Sequence, residues 1–197
     1  MPVMADAVRF YFAYLSPYAF LANTRVERML APFGVTIEYK PVHQPIAAAT
    51  MDEYRQSSRF RYVVEDMMRF VDAYGIRLRP GAFGDTRRAI LGFFHADARG
   101  RGKAYSDRVY AAGFLEEADI GSDETLARIA EEVGLDRTQF LAALDDPATA
   151  AALEQSNRDA AADGAFGVPF FVWKGKHFWG NDRLEWLVRA MEQARAA

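Results

Sequence analysis

The sequence predicts an α/β fold whose small mixed sheet is split in the chain by a long helical insertion. Three observations predict it. An aromatic and β-branched run and an alternating run lie near the start, and two further short runs lie near the end. Between residues 45 and 147 apolar residues recur at helical spacing, with no convincing strand pattern. Glycine, proline and N-capping residues punctuate the segments throughout. The length of 197 residues suits one domain carrying a large insertion, and 14% aromatic content gives it ample core material.

Residues 8–15, almost uncharged, read as a strand buried on both faces. Ser16 then stands as N-cap and Pro17 at the first helical position. The helix over 18–33 carries Phe20, Leu21, Thr24, Val26, Met29 and Leu30, and Gly34 stops it. Residues 35–41 alternate as a second strand, so the start is a β-α-β unit with parallel strands and a right-handed crossover. In the helical block, 59–74 places Phe60, Val63, Val64, Met67, Phe70 and Val71 on one face and ends at Gly75. Further helices are expected over 86–98, 104–117, 123–133 and 137–144. An Ala-rich helix over 148–163 closes at Gly164, and strands 169–173 and 176–179 form a hairpin through Lys174-Gly175. Gly180-Asn181-Asp182 caps a last helix over 183–194, with Leu184, Leu187, Val188 and Met191 inward. The order β-α-β, helical block, α-β-β-α is that of a thioredoxin-like core with an all-helical insertion after its second strand. The expected division is 1–44 with 148–197 for the core and 45–147 for the insertion.

Composition removes several functions. Lys+Arg 24 against Asp+Glu 27, a net charge of -3, lacks the basic excess that drives nucleic-acid binding. No run reaches the roughly 18–20 apolar residues of a membrane span. The opening residues lack a charged region followed by an apolar one, so a cytoplasmic protein is expected. With no cysteine, disulfides, thiolate zinc, iron–sulfur clusters and disulfide oxidoreductase chemistry are excluded. His43, His95 and His177 lack metal-ligand spacing, and none is assigned to a metal or to general-base duty.

Three places could carry chemistry, each with a plain structural alternative. Ser16 lies where a strand ends and a helix begins, beside unpaired N–H groups and the positive end of the helix dipole. A thiolate there would be stabilised; otherwise Ser16 is a helix cap. Pro169 after Val168 opens the third strand opposite that helix end. If the bond is cis, the Val168 backbone can face an extended peptide-like ligand; if trans, Pro169 merely starts the strand. Asn181 and Asp182 either cap the last helix or grip an α-amino acid head, Asp182 taking its ammonium and main-chain N–H groups its carboxylate.

Three segments, 10–23 (FYFAYLSPYAFLAN), 164–169 (GAFGVP) and 178–187 (FWGNDRLEWL), resemble the family of 2-hydroxychromene-2-carboxylate isomerases and kappa-class glutathione transferases. Tyr62, Asp66, Arg69 and the Tyr74-Gly75-Ile76 helix end are similar to the family's inserted domain, so the resemblance runs nearly end to end. It implies glutathione as cofactor. Ser16 would then hydrogen-bond and activate its sulfur, Val168 before Pro169 would pair with the cysteinyl unit, and Asn181 and Asp182 would hold the γ-glutamyl end. Asn-Asp rather than Ser-Asp at that place, and Trp179 rather than Phe, point to the isomerase branch. Arg59 stands where the family has Lys, and Thr50 is the candidate in place of a glutathione-contacting Asn.

The implied reaction is thiol-dependent cis-trans isomerisation of an aromatic α-keto acid. Arg59, Arg87 and Arg88 are candidate partners for the substrate carboxylate, or else surface residues. Tyr14, Tyr18 and Phe20 would wall an aromatic pocket, or else belong to the core. The alternatives are a kappa-like glutathione transferase and a non-catalytic glutathione or peptide binder. The resemblance further implies a homodimer.

Overall fold

A computed structural model describes residues 6–43, 53–81 and 83–196. The boundary expected at residues 44–45 and the candidate Thr50 lie outside them. Four strands form one sheet in the order β2-β1-β3-β4. Strand β1, Ala7–Phe12, runs parallel to β2, Thr36–Pro41, pairing from Ala7↔Thr36 to Phe12↔Pro41. Strand β3, Phe170–Trp173, is antiparallel to β1 with Phe10 opposite Phe171, and β4, Lys176–Trp179, completes the hairpin. Alternation along β1 sends Val8, Phe10 and Phe12 to one face, and Tyr11 to the other beside Phe170, Val172 and Ala160.

The helix expected over 18–33 is divided. Helix α1 spans Pro17–Asn23, α2 spans Val26–Leu30, and a 3₁₀ turn, Ala31–Phe33, ends at left-handed Gly34. The break has a local cause: the Thr24 hydroxyl donates to the Leu21 carbonyl at 2.8 Å, and Arg25 leaves helical geometry at φ -121°. In the helical block, α3 is Ser58–Tyr74, α4 Arg87–Asp97, α5 Gly102–Leu115, α6 Asp123–Glu132 and α7 Arg137–Ala143. Helix α8, Pro147–Ala162, covers the Tyr11 face, and α9, Leu184–Ala196, packs with α2 against the other. Of the apolar stripe expected on α3, Val71 alone is fully buried, while Val64 is exposed and the rest half-buried. The first strand, expected over 8–15, ends three residues early at Phe12, and the other expected elements begin and end within two residues of those observed.

One buried aromatic cluster joins the sheet to the inserted helices. Phe12 meets Phe93 of α4 at 5.6 Å and Tyr110 of α5 at 6.2 Å between ring centres, and Phe20 stacks on Phe114 at 4.7 Å. Gly92 of α4 is required by this packing, since a Cβ there would meet the Tyr105 hydroxyl at 2.4 Å and the Phe140 ring at 2.6 Å.

Two histidines make stability depend on pH. His95 on α4 is buried, its Nε2 without a partner among the described residues and its ring edge-on to Phe140. Burial first, then the charge of Arg99, lowers its pKa from the ordinary 6.5. His43 is lowered likewise by burial, with Asp85 opposing and Arg87 reinforcing. Each therefore stays neutral to lower pH in the folded chain than in the unfolded one, and the unfolded chain binds more protons as the pH falls below about 6.5. Stability is full above that value, is lost as the pH falls toward the folded pKa values, and then levels off. Urea unfolding between about pH 7 and pH 5 should show this loss, and His95→Gln should flatten part of it; an unchanged slope would assign it elsewhere.

Candidate active site

Strand β1 ends at Phe12, and the connector 13–15 turns out of the sheet to deliver Ser16 to the start of α1. This turn is pinned from the insertion. The Tyr110 hydroxyl donates to the Ala13 carbonyl at 3.1 Å, and Tyr14 shares a 2.8 Å hydrogen bond with Ser106, both on α5. Ser16 is the N-cap of α1, its Oγ accepting from the Ala19 N–H at 3.2 Å. The same Oγ faces the Val168 carbonyl at 3.4 Å, well beyond the usual O–H···O distance. The hydroxyl proton is thus weakly held and available to a better acceptor. Helix α1 is only seven residues long, so its dipole adds less than the local N–H groups do.

The Val168–Pro169 bond is cis. The Pro169 carbonyl accepts from the Gly180 N–H at 3.0 Å, which ties this loop to the 3₁₀ turn Asn181–Arg183. That turn packs against α1, so Ser16, Val168, Pro169, Asn181 and Asp182 belong to one continuous patch. Gly180 has φ 121°, and a Cβ there would meet the Asp182 carboxylate at 2.7 Å, so glycine is needed at this position. Gly167 is constrained as well, because the Trp179 indole nitrogen lies 2.8 Å from where its Cβ would sit.

Asn181 and Asp182 differ sharply in their surroundings. Asp182 is exposed, with Arg183 on its carboxylate at 2.7 Å. Asn181 is 1% exposed, and its side chain turns away from solvent toward Arg25, whose guanidinium donates to Oδ1 at 3.3 Å. A ligand at this turn therefore meets the Asp182 side chain and the turn's main chain, while the Asn181 carboxamide braces the turn from inside.

The remaining candidates separate. Tyr14 has no exposed surface and belongs to the core, packed on Phe12 and Tyr110; Phe20 is also buried. Arg88 is occupied on three sides, holding Asp123 through two nitrogens and Asp145 at 2.9 Å, which binds α4 to α6 and the end of α7. The structure brings neither Tyr14 nor Arg88 to the patch. Tyr18 is half-buried on α1, its hydroxyl donating to Asp66 of α3 at 2.8 Å; burial, then that carboxylate, raises its pKa. Arg59 is exposed on the first turn of α3. Arg87 is half-buried at the start of α4, near the pair His43 and Asp85 at 3.6 Å. Among the described residues no three His, Asp or Glu side chains gather as metal ligands, and no helix is long and apolar enough to cross a membrane. Sequence reasoning missed Arg25, which no local pattern marks.

The sequence matches the family described as a DSBA-like thioredoxin domain over residues 7–192. It is 30% identical over 189 residues to a 2-hydroxychromene-2-carboxylate isomerase of Pseudomonas putida, covering 93% of each chain. A solved 2-hydroxychromene-2-carboxylate isomerase has a TM-score of 0.80 at 27% identity, covering 95% of both chains. The cytosolic disulfide reductase DsbM of Pseudomonas aeruginosa, solved with GSH, shares the fold at a TM-score of 0.67 and 18% identity, over 94% of this chain and 99% of that one.

Proposed function

Since the chain belongs to the DSBA-like thioredoxin family and is an enzyme of the 2-hydroxychromene-2-carboxylate isomerase kind, we propose that it isomerises aromatic α-keto acids about a conjugated double bond with glutathione as cofactor. The observation that carries this reading is the Ser16 hydroxyl, capping α1 and only loosely engaged by Val168 at 3.4 Å. The start of α1 offers a hydroxyl, and the chain has no cysteine at all, so a thiol at this place would come from a cofactor. The DsbM structure with GSH supports glutathione as the thiol such a fold accepts.

The residues present fit that cofactor. A hydroxyl able to donate, a loop carbonyl and an exposed carboxylate lie in one patch, suited to a thiolate, a peptide unit and an ammonium respectively. When bound, glutathione supplies a thiolate that adds reversibly to the double bond, leaves it free to rotate and is then released unchanged. Ser16 donates a hydrogen bond to the sulfur and so favours the anionic form at neutral pH. Val168 and Pro169 align the peptide portion, while Asp182 and the main chain of the 181–183 turn take the amino acid end. Arg59 or Arg87 offers the positive charge that an α-keto carboxylate needs, and Tyr18, two residues after Ser16 and bonded to Asp66 of α3, offers an aromatic ring.

We assign the thiol site to residues 1–44 and 148–197, and contacts with the substrate in part to the insertion, 45–147. A homodimer agrees with the exposed Tyr62, Val64 and Met68 on α3. A cytoplasmic location would keep the thiol reduced.

The test is a spectrophotometric assay on 2-hydroxychromene-2-carboxylate with and without glutathione, beside calorimetry of glutathione binding. Thiol-dependent isomerisation is expected. No binding heat at millimolar thiol, or a rate indifferent to thiol, removes the reading. Conjugation of chlorodinitrobenzene without isomerisation replaces it with the transferase.

A further inference from the structure

We propose that Arg25 is a positioning residue of this site, setting the place of the Gly180–Asp182 turn relative to Ser16. Its part in thiol binding rests on the reading above. Arg25 stands at the break between α1 and α2, and its side chain is 12% exposed. The guanidinium donates to the Tyr74 hydroxyl at the end of α3, to Asn181 Oδ1 at 3.3 Å and to Glu185 on α9, and it lies 4.4 Å from the Tyr74 ring centre. One side chain at the α1–α2 break thus joins the end of α3 to the segment 181–185, which are distant in sequence.

The chemistry of the groups fixes the arrangement. Arginine has only donors, so Asn181 must present its oxygen to it. That leaves Asn181 Nδ2 turned away, buried and without a partner among the described residues. The carboxamide accordingly serves Arg25 rather than a ligand. On its other side the turn is held by the Gly180 N–H to the Pro169 carbonyl at 3.0 Å. Between these two holds, the exposed Asp182 has one place to project. Helix α1 acts as the spacer, carrying Ser16 at its start and Arg25 just beyond its end, a rise of about 1.5 Å per residue apart. The break at Thr24–Arg25 is what lets Arg25 point at the turn instead of continuing the helix.

Arg25→Gln, Arg25→Lys, Asn181→Ala and the double variant Arg25→Gln/Asn181→Ala test this. With glutathione, Arg25→Gln should raise the thiol KM about 10-fold while kcat at saturating thiol stays within about twofold, the signature of lost binding geometry rather than lost chemistry. Arg25→Lys, which keeps the charge without the fork, should recover only part of that loss. Adding Asn181→Ala to Arg25→Gln should change KM no further, because both remove one contact. A thiol KM within twofold of the parent in folded Arg25→Gln, or full additivity, overturns the proposal. If Arg25→Gln fails to fold, the KM of Asn181→Ala decides in the same way. Backbone amide NMR shifts of Gly180, Asn181 and Asp182 in ligand-free Arg25→Lys give a readout independent of thiol: displacement supports positioning and unchanged shifts refute it. Should the parent protein bind no glutathione at all, the functional reading fails, and these shifts alone judge Arg25.

Discussion

Ser16→Ala is expected to lower the thiol-dependent isomerisation rate about 10²-fold, the scale of losing one hydrogen-bond donor to a charge at the reacting centre. The same change removes the cap of α1, where Oγ accepts the Ala19 N–H at 3.2 Å. Cap loss costs about 1 kcal/mol, a few degrees of melting temperature for a chain of this size. The two roles therefore separate by magnitude and by observable. A small drop in melting temperature with a rate still within about twofold means that Ser16 is a cap and nothing more. The converse, a large rate loss at nearly constant stability, assigns the hydroxyl to the sulfur. Glutathione affinity measured on the same variant should weaken most above neutral pH, where the parent site holds thiolate and the alanine site no longer favours it.

Phe12→Ala carries the largest stability effect, about 3–5 kcal/mol for a buried Phe. Phe12 is 1% exposed and meets the rings of Phe10, Tyr14, Tyr39, Phe93 and Tyr110, which come from both strands of the β-α-β unit, the connector before α1 and two inserted helices. Because those rings form one cluster, its loss should loosen core and insertion together. Far-ultraviolet circular dichroism, dominated by helices, and the fluorescence of buried Trp173 in β3 should report one shared transition, shifted down by roughly 6–20 °C at about 2–4 °C per kcal/mol. Two separated transitions would show that the insertion has a stability of its own.

What could be read in advance was what is written locally. Ser16 with Pro17 marked the start of α1, Gly75 marked the end of α3, and Lys174-Gly175 marked a hairpin whose two residues both take positive φ. The break at Thr24–Arg25 was hidden because Val26, Met29 and Leu30 continue the apolar spacing through it. The Thr24 hydroxyl on the Leu21 carbonyl interrupts the helix locally, but the partners that the Arg25 guanidinium finds at residues 74, 181 and 185 lie outside any local window. The candidate site divided along the same line. Ser16, Pro169 and the 181–182 turn stand out as candidates from chain punctuation and family resemblance, but the sequence leaves open whether the bond before Pro169 is cis, as the structure has it. That Asn181 faces inward, that Arg88 is consumed by two aspartates and that Tyr14 is core depended on which elements pack together.

The connector that carries Ser16 is fastened to α5 by Tyr110 and by the Tyr14–Ser106 pair, and α4 and α5 share the sheet's own core. Helix α3 is held differently, with Val71 as its one fully buried residue and with Tyr18–Asp66 and Arg25–Tyr74 as polar clasps at its middle and end. Opening α3 would expose Met67, Phe70, Val71 and Tyr74 at the margin of the core, whereas moving α4 or α5 would dismantle the core itself. Of the inserted helices, α4 and α5 are thereby fixed to the sheet, and α3 is the one that can shift without taking the core apart.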